Sequence, residues 1–251
     1  MPRERITDLS PKELEDVILL QPRIYCDYRN PARGPLEMLF IFAQTSDNAH
    51  SCFLRAIELA KAGMVKHLGI SDGTLGHGYD GFDASVDQLK QLGWGEGFPF
   101  SIPIIKFDVG GGVNTRSEAD SFVEWVKKNP GDIGVTATQF DHIVRAFATI
   151  VTVLNGHLTR VYSYPGITLP WNEEARHSQG TVKDLRANLS AGELYRLELY
   201  RVPEYKNLFT ARQVIEYLNW RDGLPVLSGT VAEYVRKKEE ERLLQKVTAP
   251  Q

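Results

Sequence analysis

Long apolar runs are missing from this sequence. No window approaches the roughly 20 apolar residues that a membrane-spanning helix needs, so no membrane partner is expected. Cysteine is scarce: Cys26 and Cys52 are the only two. They read as reduced thiols rather than as a disulfide framework, and a catalytic thiol is not expected. An excess of either charge is missing too. Twenty-nine basic against 32 acidic residues leave a net charge of -3, which gives no general reason to expect nucleic acid or an anionic membrane as partner. The opening Met1-Pro2-Arg3-Glu4-Arg5 runs into a polar stretch with no apolar core, so the expected location is the cytoplasm. Nor is there an H-E-x-x-H helix, and Gly110-Gly111-Gly112 matches neither G-x-G-x-x-G nor a phosphate loop with its lysine.

What is present is ordinary for a globular chain. The 251 residues are 42% hydrophobic and 24% charged, enough to bury a large core without staples. Ser10-Pro11 opens a helix expected to run to Leu20 and to end at Pro22. From there strand and helix alternate. Strands are expected at Leu36–Ala43, Val65–Ile70, Ile102–Val109, Ile133–Ala137 and Arg160–Tyr164. Helices are expected at Ser51–Ala62, Ser85–Leu92, Thr115–Lys128 and Phe140–Leu154. Short apolar strands separated by helices predict a mainly parallel sheet of about five strands in an α/β fold. After Pro170 the pattern turns mostly helical, near 190–200, 210–220 and 230–246. The expected organisation is an N-terminal helix and loop over 1–35, an α/β core over 36–165, and a mainly helical C-terminal extension over 166–251 packed on that core.

In an open parallel sheet, ligands bind at the carboxyl ends of the strands, near the point where the strand order reverses. Four polar segments fall at such ends. The first contains Gln44, Asp47 and Asn48, with Arg55 one helical stretch on. The second is Ser71-Asp72-Gly73. The third is Gly110-Gly111-Gly112 with Asn114, Thr115 and Glu118. The fourth holds Thr138, His142 and Arg145. The triple glycine reads equally as a flexible turn or as backbone approaching an anion. Thr115 and Glu118 fit a T-x-x-E capping box, which would account for both. His142 and Arg145, three apart at a helix start, suit a phosphate, carboxylate or sulfonate, or simply form a solvated cationic face. His77, Asp80 and Asp83 form H-x-x-D-x-x-D in a glycine-rich loop, but such a turn arises readily by chance and no metal site is expected.

The order of these segments resembles the YdcF/SanA/ElyC-like proteins. Leu39–Ala43, then Arg55-Ala-Ile-Glu-Leu-Ala-Lys-Ala-Gly63, then His67-Leu-Gly-Ile-Ser-Asp-Gly73 is similar to that family's opening. Asn114-Thr115-Arg-Ser-Glu118-Ala119 resembles its N-T-x-E-N-A segment. Val135 to Ala146, with His142 and Arg145, resembles its H-x-x-R-A segment. Asp72 stands where the family has the middle glycine of S-G-G, and Ser117 and Glu118 where it has Glu and Asn. The resemblance covers about residues 36–165. It implies a Rossmann-like three-layer sandwich with a pocket at the sheet's carboxyl edge, and S-adenosylmethionine as a candidate cofactor.

Together these features predict an enzyme, a transferase or hydrolase, acting on a polar anionic small molecule such as a nucleotide, a phosphosugar or S-adenosylmethionine. Arg55, His142 and Arg145 would hold the anion, with His142 able to move a proton. Asp72 would be the acid/base or ribose-binding carboxylate, and Asn114 and Thr138 would orient the ligand. The alternative is a non-catalytic binding or regulatory module using the same pocket, with the helical C-terminal part as a partner or homodimer surface.

Overall fold

The structure, a computed structural model, describes residues 9–27, 29–76, 78–138, 142–155, 157–177, 182–200 and 208–224. The first helix, α1 (Pro11–Tyr25), is closed at its start by Ser10, whose hydroxyl accepts the Glu13 N–H while Glu13 reaches back to the Ser10 N–H. It does not end at Pro22. That proline sits in the last turn and its carbonyl takes the Cys26 N–H, so only the missing proline N–H is lost.

The alternating core follows as β1 (Met38–Ile41), α2 (Ser46–Lys61), β2 (Leu68–Thr74), α3 (Phe82–Gln91), β3 (Ile104–Gly112), α4 (Thr115–Lys128), β4 (Ile133–Thr136), α5 (Ile143–Val153) and β5 (Val161–Ser163). All five strands are parallel, in the order β3-β2-β1-β4-β5. This is the expected α/β, Rossmann-like sandwich with a five-stranded parallel sheet. The order reverses between β1 and β4, so a crevice opens at their carboxyl ends.

Both faces of the sheet are covered, which is why β1 and β4 are buried along their whole length. Met38, Phe40 and Phe42 point to one side with Phe122, Val126, Phe147 and Val151; Leu39 and Ile41 point to the other with Ala56, Leu59 and Leu89. Phe40 stacks on Phe122 with ring centroids 4.5 Å apart, fixing α4 beneath the middle of the sheet.

After β5 the chain is not mainly helical at once. A short antiparallel pair, β6 (Glu174–Arg176) and β7 (Lys183–Leu185), comes first, then α6 (Arg186–Leu199) and α7 (Ala211–Arg221). The helix expected over 230–246 lies outside the described residues. Leu197, Val214 and Leu218 join the core on the α5 side. A buried clamp fastens α7 to the sheet. Arg221 donates to both Asp27 carboxylate oxygens (2.5 and 2.9 Å) and to the Val161 carbonyl (2.8 Å), and Asp27 also accepts the Ser163 N–H.

Several element ends differ from the expectations, and the differences move functional candidates. Helix α2 starts at Ser46 with Thr45 as its cap, so Asp47 and Asn48 lie in its first turn and not in a loop. Strand β2 runs on through Ser71-Asp72-Gly73, and β3 absorbs Gly110-Gly111-Gly112. The extra length is paid out in backbone pairing: Asp72 stands opposite Asp108 and Thr74 opposite Gly112. Gly73 has no room for a side chain there, because an added Cβ would come within 2.6 Å of both Val109 and Val113.

Candidate functional site

Two adjoining polar clusters lie at the carboxyl ends of β1, β2 and β4. The first is built on α4. Its N-cap is Asn114, whose side-chain oxygen accepts the Arg116 and Ser117 N–H groups at 3.1 Å each, with Ser117 answering as the reciprocal partner. The capping box expected at Thr115 and Glu118 is therefore one residue out of register. With Asn114 as the cap, Thr115 and Glu118 are both released to face the sheet. Glu118 is buried, and one carboxylate oxygen accepts the Ala43 N–H at 2.7 Å and the Ser71 hydroxyl at 2.6 Å. Tyr79, from the loop after β2, donates its hydroxyl to the Ser71 carbonyl.

The second cluster spans the crevice between β1 and β4. Thr138 donates to Gln44 Oε1 at 2.9 Å. The Gln44 amide nitrogen meets the Phe42 carbonyl at 2.9 Å and His142 Nδ1 at 2.8 Å. His142 Nε2 lies 3.0 Å from the Thr115 hydroxyl, which also takes an N–H from Arg145. Arg145 is paired in turn with Glu193 of α6, and the other Glu193 oxygen is 3.1 Å from His177 Nε2. Arg196 borders both His177 and Glu193. Gln44, Thr138, His142, Arg145, His177 and Glu193 are all buried.

Burial sets the electrostatics. Loss of solvation raises the Glu118 pKa to about 7, although the Ala43 N–H, the Ser71 hydroxyl and Arg145 pull the other way. The same loss of solvation, reinforced by Arg145, holds His142 well below its ordinary value, so it is neutral. Burial also lowers His177, against the pull of Glu193. For Glu193 burial opposes ionisation, but Arg145 and the His177 hydrogen bond outweigh it and bring its pKa down to about 2. Tyr79 is pushed up by burial and by Glu118. Glu118 thus titrates near neutral pH, whereas Glu193 stays ionised there.

Of the residues singled out in the sequence, Gln44, Ser71, Thr115, Glu118, Thr138, His142 and Arg145 come together here. The others do not. Asp72 lies on the opposite face of β2 from Ser71, because side chains alternate along a strand; it pairs with Lys106 of β3 at 2.6 Å, both partly exposed. Arg55 donates to the Pro165 carbonyl at 2.9 Å and to Glu58 at 2.6 Å, not to this site. Asp47 accepts the Arg176 N–H, and Asn48 bonds Thr45 and the Arg176 carbonyl; both hold β6 on α2. Asn114 is the helix cap. Gly73, Gly111 and Gly112 belong to paired strands and not to a cradle before a helix. His142, expected to move a proton, has its Nδ1 occupied by the Gln44 amide. His77 lies outside the described residues, and among those described no three acidic, histidine or cysteine side chains gather as a metal site. No described helix is long and apolar enough to cross a membrane. Cys52 is buried and Cys26 exposed.

Glu193, His177, Arg196 and Tyr79 were not singled out in the sequence. They reach the site from segments without a motif, and spacing along the chain carries no signal for contacts 48 residues apart. Searches of family models, of curated proteins and of solved structures found no match to this chain.

Proposed function

We propose that the chain is a small-molecule enzyme of the YdcF-like type, acting on or with a polar anionic ligand at the carboxyl ends of β1, β2 and β4. Nucleotides, phosphosugars and S-adenosylmethionine are the candidate classes. The supporting observation is the continuous buried network from Thr138 through Gln44, His142, Thr115 and Arg145 to Glu193, placed where the strand order reverses. Buried polar networks seldom stabilise a fold as well as an apolar core would, so one gathered at a sheet's switch point is a functional candidate.

In this proposal Arg145 supplies the countercharge for the ligand's anion. Glu118, with its pKa at about 7, gives or takes the proton in place of Asp72 and His142. Gln44 and Thr138 hold the His142 ring, and Ser71 holds Glu118. A guanidinium with a carboxylate beside it also suits the amino-acid and ribose parts of S-adenosylmethionine, which would supply an electrophilic methyl group.

Thermal-shift screening with nucleotides, phosphosugars and S-adenosylmethionine tests the proposal. A rise in Tm with at least one class is expected, and E118Q should keep that rise while losing turnover. No response to any class refutes the proposal. The pairing of Arg145 with Glu193 favours a second reading, a non-catalytic sensor in which ligand displaces α6; binding without product in a turnover assay would select it.

A further inference from the structure

The hydrogens of the buried network can be placed from its partners alone. A carbonyl only accepts, so the Gln44 atom 2.9 Å from the Phe42 oxygen is the amide nitrogen, with Thr138 donating to the amide oxygen. The second hydrogen on that nitrogen faces His142 Nδ1 at 2.8 Å. Nδ1 therefore accepts and carries no proton, and the ring proton sits on Nε2. From there it is donated to the Thr115 hydroxyl oxygen at 3.0 Å. Arg145 has no acceptor atoms, so its N–H is donated to the same oxygen. Both lone pairs of Thr115 are then occupied. Its own hydrogen must go to a third group, and no acceptor among the described residues takes it.

We infer that the Thr115 hydroxyl is the ligand-facing donor of this site and that it selects an oxygen bearing no hydrogen, as in a phosphoryl or carboxylate group. The inference rests on the proposal above that a ligand binds at this strand edge. Two donors on one hydroxyl oxygen polarise its O–H bond and strengthen it as a donor. In this arrangement His142 positions Thr115, Arg145 donates to Thr115 as well as supplying the anion's countercharge, and Gln44 fixes the direction of the chain. A ligand group that offers only N–H donors would meet a donor and be rejected.

Two measurements test the inference. The wild type, T115S (hydroxyl kept) and T115V (hydroxyl removed at nearly constant shape) are titrated with inorganic phosphate and with acetate at matched ionic strength, reading Tm. One anion should raise Tm in the wild type and in T115S, with T115V needing about ten-fold more or beyond, the loss of a hydrogen bond to a charged acceptor. A response to phosphate alone assigns a phosphoryl group, and to acetate alone a carboxylate. Equal binding by T115V, or no response of the wild type to either anion, overturns the inference. The larger ligands of the preceding screen judge the proposed function separately. On unmodified 15N-labelled protein at pH 7, long-range 1H–15N correlation should show His142 protonated at Nε2 and bare at Nδ1. The reverse tautomer, or a doubly protonated ring, overturns the donor assignment without any ligand, and this measurement stands even if T115V does not fold.

Discussion

Glu118 offers a test of the site that needs no substrate. In the unfolded chain its carboxyl titrates near 4.5; in the fold, burial moves it to about 7. Between those values the folded state keeps a proton that the unfolded state has released. Glu118's contribution to stability therefore falls as pH rises, by up to about 1.4 kcal/mol per pH unit, and levels off above pH 7. The depressed His142 and His177 act in the opposite sense in both wild type and variant. The full cost of ionising Glu118 in place is roughly 3 kcal/mol. Replacing it with glutamine removes that cost and keeps an oxygen to accept the Ala43 N–H and the Ser71 hydroxyl. At pH 4.5 the E118Q variant should match the wild type to within about 1 kcal/mol. At pH 8 it should be the more stable by roughly 3 kcal/mol. Urea denaturation followed by fluorescence of the four tryptophans, at half-unit steps from pH 4.5 to 8.5, would show the gap opening between these limits. A gap that does not change with pH, or an E118Q variant less stable than wild type at pH 8, would refute the placement of a protonated carboxyl at the end of β2.

Three further outcomes follow from the same contacts. E193Q removes the buried charge paired with Arg145 and should cost about 1.5–3 kcal/mol at pH 7. The Glu193 pKa is depressed to about 2, so its contribution is complete above pH 4.5 and lost as pH falls through 2; the deficit, read by urea denaturation, should shrink on acidification. D72A removes a partly exposed pair with Lys106 and should change stability by less than about 1 kcal/mol, leaving any ligand-induced Tm shift intact; loss of that shift would return Asp72 to the site. D27N strips Arg221 of its bidentate partner at the α7–β5 clamp, where both side chains are 2% exposed, but leaves it paired with Asp222, and should cost about 1–3 kcal/mol by urea denaturation.

The fold was legible where local signals and burial agree. Helix α4 has the expected bounds, Thr115 and Lys128, because a cap residue precedes it, two lysines close it, and Ala119, Phe122, Val123 and Val126 make one buried stripe. Helix α2 began five residues before its expected start because Thr45 caps it without a side-chain hydrogen bond, and its first turn is polar. Strands β2 and β3 outran their expected ends because serine, aspartate and glycine are turn residues by composition, whereas here the two strands keep pairing through a register shift between Asp72 and Thr74, with Gly110 left-handed at φ +67°. The β6–β7 pair went unseen because three-residue strands carry too few side chains to show a period.

At the site, single-residue offsets decided which candidates met. The T-x-x-E pattern at Thr115 and Glu118 is a sound cap signature, but Asn114 is a good cap and stands one residue earlier. Had Thr115 been the cap, its hydroxyl and the Glu118 carboxylate would both have been spent on backbone N–H groups. Moving the cap back by one frees a donor for the β1–β4 crevice and a carboxylate for Ser71. The same logic separates Ser71 from Asp72. Read as a loop, both face the crevice. Read as the pleated strand they form, one must point away. Burial settles which: Ile70 packs against α2 and α3, so Asp72 shares its face and finds Lys106, while Ser71 turns to Glu118. An acid/base carboxylate was expected at this edge on β2; the buried carboxylate found beside Ser71 belongs to α4.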